Sequence, residues 1–306
     1  MDQLFETTLN PADTPMSREE LARAMHDCDV LVPTVTDRID AALIAQAGDD
    51  LRLIANFGAG TDHIDLAAAA ARRIMVTNTP GVFTDDTADI AMEMIIGIPR
   101  RVREGVRLVR HGEWTGWTPT ALLGRKLAGK VLGIVGMGRI GQAVAHRARA
   151  FGLEIAYHNR KRLPEALERM LHARFVEDVD ALFAQADILT LHCPATPDTN
   201  NLVDARRLAL MQPGACLINT ARGELVDQEA LIAALEAGHL AGAGLDVYPE
   251  EPHVDARLLA HPNVMTLPHI GSATREGREE SGMKVVANIR MWADGHRPPD
   301  QVLTGL

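Results

Sequence analysis

The chain has 306 residues, 46% hydrophobic and 24% charged, with a formal net charge of −10. These fractions describe a globular protein of two ordinary domains or one large one. The acidic balance excludes a general nucleic-acid surface and a polybasic membrane patch, and no long apolar span or basic-then-apolar leader is visible. Cys28, Cys193 and Cys216 are scattered, with no C-x-x-C pair. They read as small buried hydrophobes in a reducing cytoplasm, not as a disulfide framework or zinc site.

In chain order, Pro11 and Pro15 mark a loop, and Ser17 caps a short helix through His26. Asp29–Val35 reads as a buried strand, Ile39–Ala47 as a helix, and Leu51–Phe57 as a strand closing at Gly58-Ala59-Gly60. Leu66–Arg73 is alanine-rich and helical; Ile74–Thr77 is a strand stopped by Asn78-Thr79-Pro80-Gly81. Strands alternating with helices over short connections imply a parallel, doubly wound sheet. A long helix starts near Thr84 with Asp85 and Asp86 in its first turn, and Pro99 kinks it or ends its first half. Arg100, Arg101, Arg103, Arg107 and Arg110 then read as a solvated face. Trp114–Lys126 is irregular, either an arm packed on a partner subunit or a local cluster under a loop.

Lys130–Ala150 is the most informative stretch. The apolar run Val131–Val135 breaks into Gly136-Met137-Gly138-Arg139-Ile140-Gly141, and Ile140, Val144 and Ala148 then share a helical face. In a strand-turn-helix context, G-x-G-x-x-G reads as a dinucleotide fingerprint: tight turn, close approach to a pyrophosphate, close helix–strand packing. The second strand, Leu153–Tyr157, ends in His158-Asn159-Arg160-Lys161-Arg162, without the acid that binds the ribose of NAD. A carboxylate would repel a 2′-phosphate, whereas a guanidinium pairs with it, so NADP(H) is expected over NAD(H), with NAD(H) use still open.

A helix starts at Pro164; strands follow at Asp187–Leu191, Ala215–Asn219, Ala243–Val247 and Val264–Leu267, with helices at Glu229–Ala237 and Thr274–Trp292. Their polar signals sit just past strand C-termini, where open α/β sheets bind ligands. Arg222, in NTARGELVD, can clamp a carboxylate or polarise a carbonyl; a structural ion pair is the competing reading. Glu251 and His269 each follow a neighbouring strand, and a carboxylate bonded to imidazole orients the ring and favours its charged form. Gly271, after His269, allows close approach of a ligand. The spacing alone does not bring Glu251 to His269. The Gly58-Ala59-Gly60 backbone offers a small anion nest or an ordinary turn. The histidines show no metal-binding spacing, and no metal is expected.

Taken together, NFGAGTDHID from Asn56, TDDTADIAMEMI from Thr84, GIVGMGRIGQAVA from Gly133, LHCPATPDTNNLVD from Leu191, NTARGELVDQEAL from Asn219, GLDVYPEEP from Gly244 and LPHIGSAT from Leu267 resemble the D-2-hydroxyacid dehydrogenases, nearest to the glyoxylate/hydroxypyruvate reductase branch. The resemblance covers nearly the whole chain. It implies an α/β architecture of two doubly wound parallel-sheet lobes, a Rossmann coenzyme domain inserted in a flavodoxin-like substrate domain. The expected spans are 1–93 and 275–306 for substrate and 94–274 for NADP(H). It gives Arg222 the binding and polarising of a 2-oxo acid, His269 the acid/base role, Glu251 the partnership of His269, and Gly58, Ala59 and Gly60 the substrate carboxylate. Thr87, Gly136, Gly138, Arg139, Ile140, Gly141, Asn159, Arg160, Lys161, Pro194, Thr199, Thr220, Ala221, Asp246, Gly271 and Ser272 become coenzyme contacts. It also implies a homodimer joined through coenzyme-domain surfaces that include Trp114 and Trp117, and a cleft that closes to exclude water.

Two departures stand out. Members usually carry a strand and helix before the segment matching LFETTLNP, so a central strand of the first sheet is expected to be missing, through a truncated start or with compensating pairing by Leu4–Thr8. Pro99 sits where members carry a straight helix. The expected activity is NADPH-dependent reduction of glyoxylate or hydroxypyruvate, with no nucleic-acid or membrane partner. The alternatives are another D-2-hydroxyacid dehydrogenase, of phosphoglycerate or D-lactate type, and a non-enzymic dinucleotide-sensing protein of the same fold.

Overall fold

The computed structural model describes residues 4–303 and divides into two compact units. Among the described residues, the first comprises 4–83 with 274–303, the second 84–273.

In the first unit, α1 (Arg18–Asp27) begins at a complete capping box in which Ser17 and Glu20 satisfy each other's backbone N–H. β1 (Val30–Leu31), α2 (Ala41–Ile44), β2 (Leu53–Ala55), α3 (Leu66–Ala71) and β3 (Met75–Thr77) follow, and the strands form a parallel sheet in sequence order. All five elements are shorter than their apolar patterns suggested. Leu21, Met25, Leu43, Ile44, Ile54 and Ile64 pack one face of this sheet. The C-terminal helix Arg275–Ala293 covers Leu53 and Ala55 with Val285 and Ile289. Leu4–Thr8 forms no strand, so the compensating pairing is not made, and the outer edge of β1 has no strand beside it among the described residues.

The second unit begins with α4 (Thr84–Gly97), so the boundary expected after residue 93 falls inside a helix that the structure keeps whole. Pro99 ends this helix in a turn, Arg101 takes a left-handed φ of 55°, and α5 (Val102–Arg110) starts afresh. The arginines beyond it are not simply a solvated face, as expected. Arg103 donates to the carbonyls of Leu259, His261 and Val264, and Arg101 and Arg107 pair with Glu104 and Glu113.

β4 (Val131–Val135), α6 (Arg139–Ala150), β5 (Glu154–His158), α7 (Glu165–Leu171), β6 (Ala173–Phe175), α8 (Val179–Gln185), β7 (Ile188–Leu191), α9 (Ala205–Leu210), β8 (Ala215–Asn219), α10 (Gln228–Glu236), β9 (Leu240–Leu245), α11 (Ala256–Ala260) and β10 (Val264–Thr266) complete the unit. β6, α8, α9 and α11 are short elements that the sequence reading passed over. The sheet is parallel throughout, in the order β10-β9-β8-β7-β4-β5-β6. Alternate residues of each strand go to opposite faces: Val135, Leu189 and Leu217 pack on one side, Ile134, Ile188 and Ile218 on the other. Each such buried aliphatic contributes roughly 1.5–3 kcal/mol of transfer free energy. The chain reverses direction across the sheet between β4 and β7, and the groove outside that reversal is where this topology takes a ligand.

Candidate active site

Three glycines shape the turn between β4 and α6, for different reasons. Gly136 has φ +96°, and a Cβ there would lie 2.6 Å from the Cys193 nitrogen. A Cβ on Gly141 would lie 2.3 Å from the Gly136 carbonyl oxygen. Packing within the chain accounts for both. At Gly138 a Cβ would meet nothing within 4 Å, and its φ of −76° suits any residue. Nothing within the described chain requires a glycine there. Gly138 also caps α6 without a side-chain hydrogen bond, which leaves first-turn N–H groups without a side-chain acceptor, the arrangement that suits an anion. At the end of β8, the buried Thr220 hydroxyl has no hydrogen-bond partner among the described residues. A pyrophosphate over Gly138 and a polar ring near Thr220 answer both features, so the residues fit a bound dinucleotide.

Past β5, the Asn159 side-chain amide donates to the Lys161 carbonyl at 2.9 Å and forms a tight turn. Arg160 and Lys161 are exposed on that turn and enter no ion pair among the described residues. Arg162 differs, being held by Glu168. Pro194 and Thr199 share one loop, in which the Thr199 hydroxyl donates to the Pro194 carbonyl at 2.8 Å. Arg139 and Ile140 open α6, and Ala221 hangs from Asn219 through its own N–H at 3.0 Å. Ser272 is half-buried just past Gly271.

At the C-terminal ends of β8, β9 and β10, three expected residues come together. His269 Nδ1 lies 2.8 Å from Glu251 Oε2. Arg222 stands near enough that its charge helps to lower the pKa of Glu251. Burial opposes the charged form of that carboxyl, but the His269 contact, the Tyr248 N–H at 3.0 Å and Arg222 outweigh it. Close packing brings Arg222 here: a Cβ on Gly223 would fall 2.0 Å from the Tyr248 carbonyl carbon. Asn219 then grips the Arg222 carbonyl at 2.7 Å.

His269 has φ +55°, a left-handed conformation that a non-glycine residue adopts only when held. The holding group is Asp246. Its two carboxylate oxygens accept the next two N–H groups, of Ile270 at 2.8 Å and Gly271 at 2.7 Å. Burial raises the pKa of Asp246, and those N–H groups work against the rise. On the far side of the turn, the Thr87 hydroxyl donates to the Gly271 carbonyl at 3.1 Å. Tyr248, which the sequence reading gave no role, donates to the carbonyls of Leu245 and Leu267 and ties the ends of β9 and β10 together. The only sequence signal for it was an aromatic with a polar tip directly after a buried strand.

His192 is the competing imidazole in this unit. It is half-buried behind Gly136, and the burial of its ring lowers its pKa to about 3. It stays neutral at working pH and is no proton donor. Among the described residues, no three His, Cys, Asp or Glu side chains are grouped to hold a metal ion, and no helix is long and apolar enough to cross a membrane.

In the first unit, Asn56 organises the loop after β2. Its amide donates to the carbonyls of Gly58 at 3.0 Å and Gly60 at 2.8 Å, its oxygen meets His63 Nε2 at 3.0 Å, and Asn78 holds the Ala59 carbonyl at 2.7 Å. With those carbonyls held, the Ala59 and Gly60 N–H groups donate to nothing among the described residues. The sequence reading noticed the glycines but not the asparagine that aligns them.

A profile of the D-isomer specific 2-hydroxyacid dehydrogenase NAD-binding domain matches residues 92–271. The chain belongs to the D-isomer specific 2-hydroxyacid dehydrogenase family. A glyoxylate reductase of Thermococcus litoralis is 44% identical over 99% of this chain and 92% of its own length. Among solved structures, a Polaromonas protein ascribed to the same family superposes with a TM-score of 0.92 at 41% identity, over 99% of this chain and 94% of that one. An NADPH-dependent glyoxylate/hydroxypyruvate reductase of Sinorhizobium meliloti, in complex with NADP and malonate, superposes with a TM-score of 0.83 at 35% identity, over 91% and 85%. This dehydrogenase is thus an oxidoreductase built on a Rossmann-type fold that takes a nicotinamide dinucleotide.

Proposed function

We propose that this dehydrogenase reduces a small 2-oxo acid, glyoxylate or hydroxypyruvate, to the 2-hydroxy acid, with NADPH preferred over NADH. The observation that carries the reading is the grouping of Arg222, Glu251 and His269 at three adjacent strand ends. The glyoxylate-reducing relatives support the substrate class. The bound dihydronicotinamide supplies the hydride that reaches C2 of the substrate.

Glu251 occupies His269 Nδ1, which leaves Nε2 as the atom that gives up a proton. Protonated His269 donates it to the oxygen at C2 as charge develops there, and Glu251 stabilises the imidazolium. Arg222 draws charge onto the same oxygen and aligns the oxo acid. The Gly58-Ala59-Gly60 loop is the proposed carboxylate cradle, because its free N–H groups suit an anion.

The coenzyme preference follows from the turn after β5, where Arg160 and Lys161 are exposed and no acid stands to repel a 2′-phosphate. The chain also presents a surface suited to homodimerisation. No residue of α5 is buried; Val102, Val106 and Val109 form an exposed stripe along it, and Trp114, Trp117 and Leu123 lie exposed in the segment that follows.

The deciding experiment measures oxidation of NADPH and NADH by purified protein with glyoxylate and with hydroxypyruvate. Turnover of either acid, faster with NADPH, is the expected result. Bound coenzyme without turnover of any 2-oxo acid would instead favour a dinucleotide-sensing protein.

A further inference from the structure

Of the three cations after Asn159, Arg162 alone is held in an ion pair among the described residues. Its Nε and Nη2 make a two-pronged contact with Glu168 on α7, at 2.9 and 2.8 Å, and its guanidinium rests 5.6 Å from the centre of the Phe175 ring. The Glu168 carboxylate is buried, and its first oxygen also accepts the Tyr157 hydroxyl at 2.6 Å. That hydroxyl accepts the Leu163 N–H at 2.9 Å. Tyr157 is fully buried on β5, and Leu163 lies beyond the turn. One carboxylate therefore ties together the strand before the turn, the chain leaving it and the arginine inside it.

We propose that Glu168 is a positioning residue for coenzyme choice: through Arg162 and Tyr157 it fixes the 158–163 turn in the shape that presents Arg160 and Lys161 to a 2′-phosphate. The inference rests on the NADPH reading above and adds the device behind it. A flexible turn would have to be ordered by the ligand, at the expense of side-chain and backbone entropy. The clamp makes that ordering part of folding. Contacts with Arg162, and then with Tyr157, hold the Glu168 carboxyl down to about 2, so it stays ionised throughout the working pH range. A single carboxylate thereby serves the opposite purpose to the ribose-binding acid of NAD-preferring strands: it lies under the turn and aims cations outward.

The test is calorimetric binding of NADP+ and of NAD+ to coenzyme-free protein, with unfolding midpoints recorded alongside. Glu168→Gln keeps the shape of the side chain but weakens its grip on Arg162, and Arg162→Gln breaks the clamp from its exposed end without disturbing the core. Each should weaken NADP+ binding about tenfold, the scale of a charge-assisted contact, while NAD+ binding changes less than twofold. Equal loss for both coenzymes, no change, or tighter NADP+ binding would overturn the inference. Arg160→Ala with Lys161→Ala runs in parallel. If that pair leaves NADP+ binding intact, the 2′-phosphate reading itself has failed; if it weakens NADP+ while the clamp variants do not, only the positioning role falls.

Discussion

His269 and His192 both follow strand ends in the same unit, yet their surroundings assign them opposite roles. Burial keeps His192 neutral, whereas Glu251 gives His269 a charged partner and Asp246 holds its backbone in place. His269→Gln should lower kcat for oxo-acid reduction by about 10²–10⁴-fold, the range for loss of a general acid, with little change in the midpoint of unfolding; steady-state kinetics and thermal denaturation check both halves. Glu251 sits below its ordinary pKa. Its contribution is therefore complete above the ordinary carboxylate range and fades only as pH falls through and beneath it. Removing that charge in Glu251→Gln takes the counter-charge from the imidazolium that reduction needs. The alkaline limb of kcat/KM for reduction should then move to lower pH, and an unmoved limb would show that the 2.8 Å contact does not govern the proton.

At the scale of elements, the strand-turn-helix around Gly136 was legible because its residues obey local rules: a β-branched run, a glycine pattern, then a 3.6-residue period. What the pattern could not show is that its glycines serve different ends. Gly136→Ala forces a Cβ to within 2.6 Å of backbone at a φ of +96°, so loss of folded protein or a large fall in unfolding midpoint is expected. Gly138→Ala meets no atom within 4 Å and should leave the midpoint unchanged while weakening dinucleotide binding, as measured by calorimetry. Equal effects of the two substitutions on folding would contradict that division. The short elements β6, α8, α9 and α11 were illegible for the converse reason. Each spans only three to seven residues, too few for a period to declare itself, and long-range packing on the sheet decides them. Glu168 falls in the same class. Nothing in LPEALERML marks one glutamate of a surface-like helix as buried beneath a turn, because its partners Tyr157 and Arg162 are chosen by tertiary structure.

For the whole molecule, the alternation of strands and helices could be read from the sequence, since each buried parallel strand is a short apolar run that ends in punctuation, whereas the order of those strands across the sheet is set by tertiary packing. Surfaces that meet other chains leave a weaker trace. In α5, Val102, Val106 and Val109 recur at helical spacing, as core residues do, yet the helix buries none of its residues. Trp117 is 82% exposed and Trp114 62%. A monomer carrying that much exposed apolar surface on adjoining segments invites association, and the formal charge of −10 does not oppose it locally because the arginines of α5 interleave with the valines. A second copy of the chain is the proposed occupant. Val106→Asp combined with Val109→Asp places two carboxylates on the stripe without touching buried residues, so the fold should persist while the sedimentation coefficient falls from that of a dimer to that of a monomer. If the doubly substituted protein sediments as the parent does, with the parent a dimer, the two copies meet elsewhere; if the parent is itself a monomer, the stripe has no second copy to cover it.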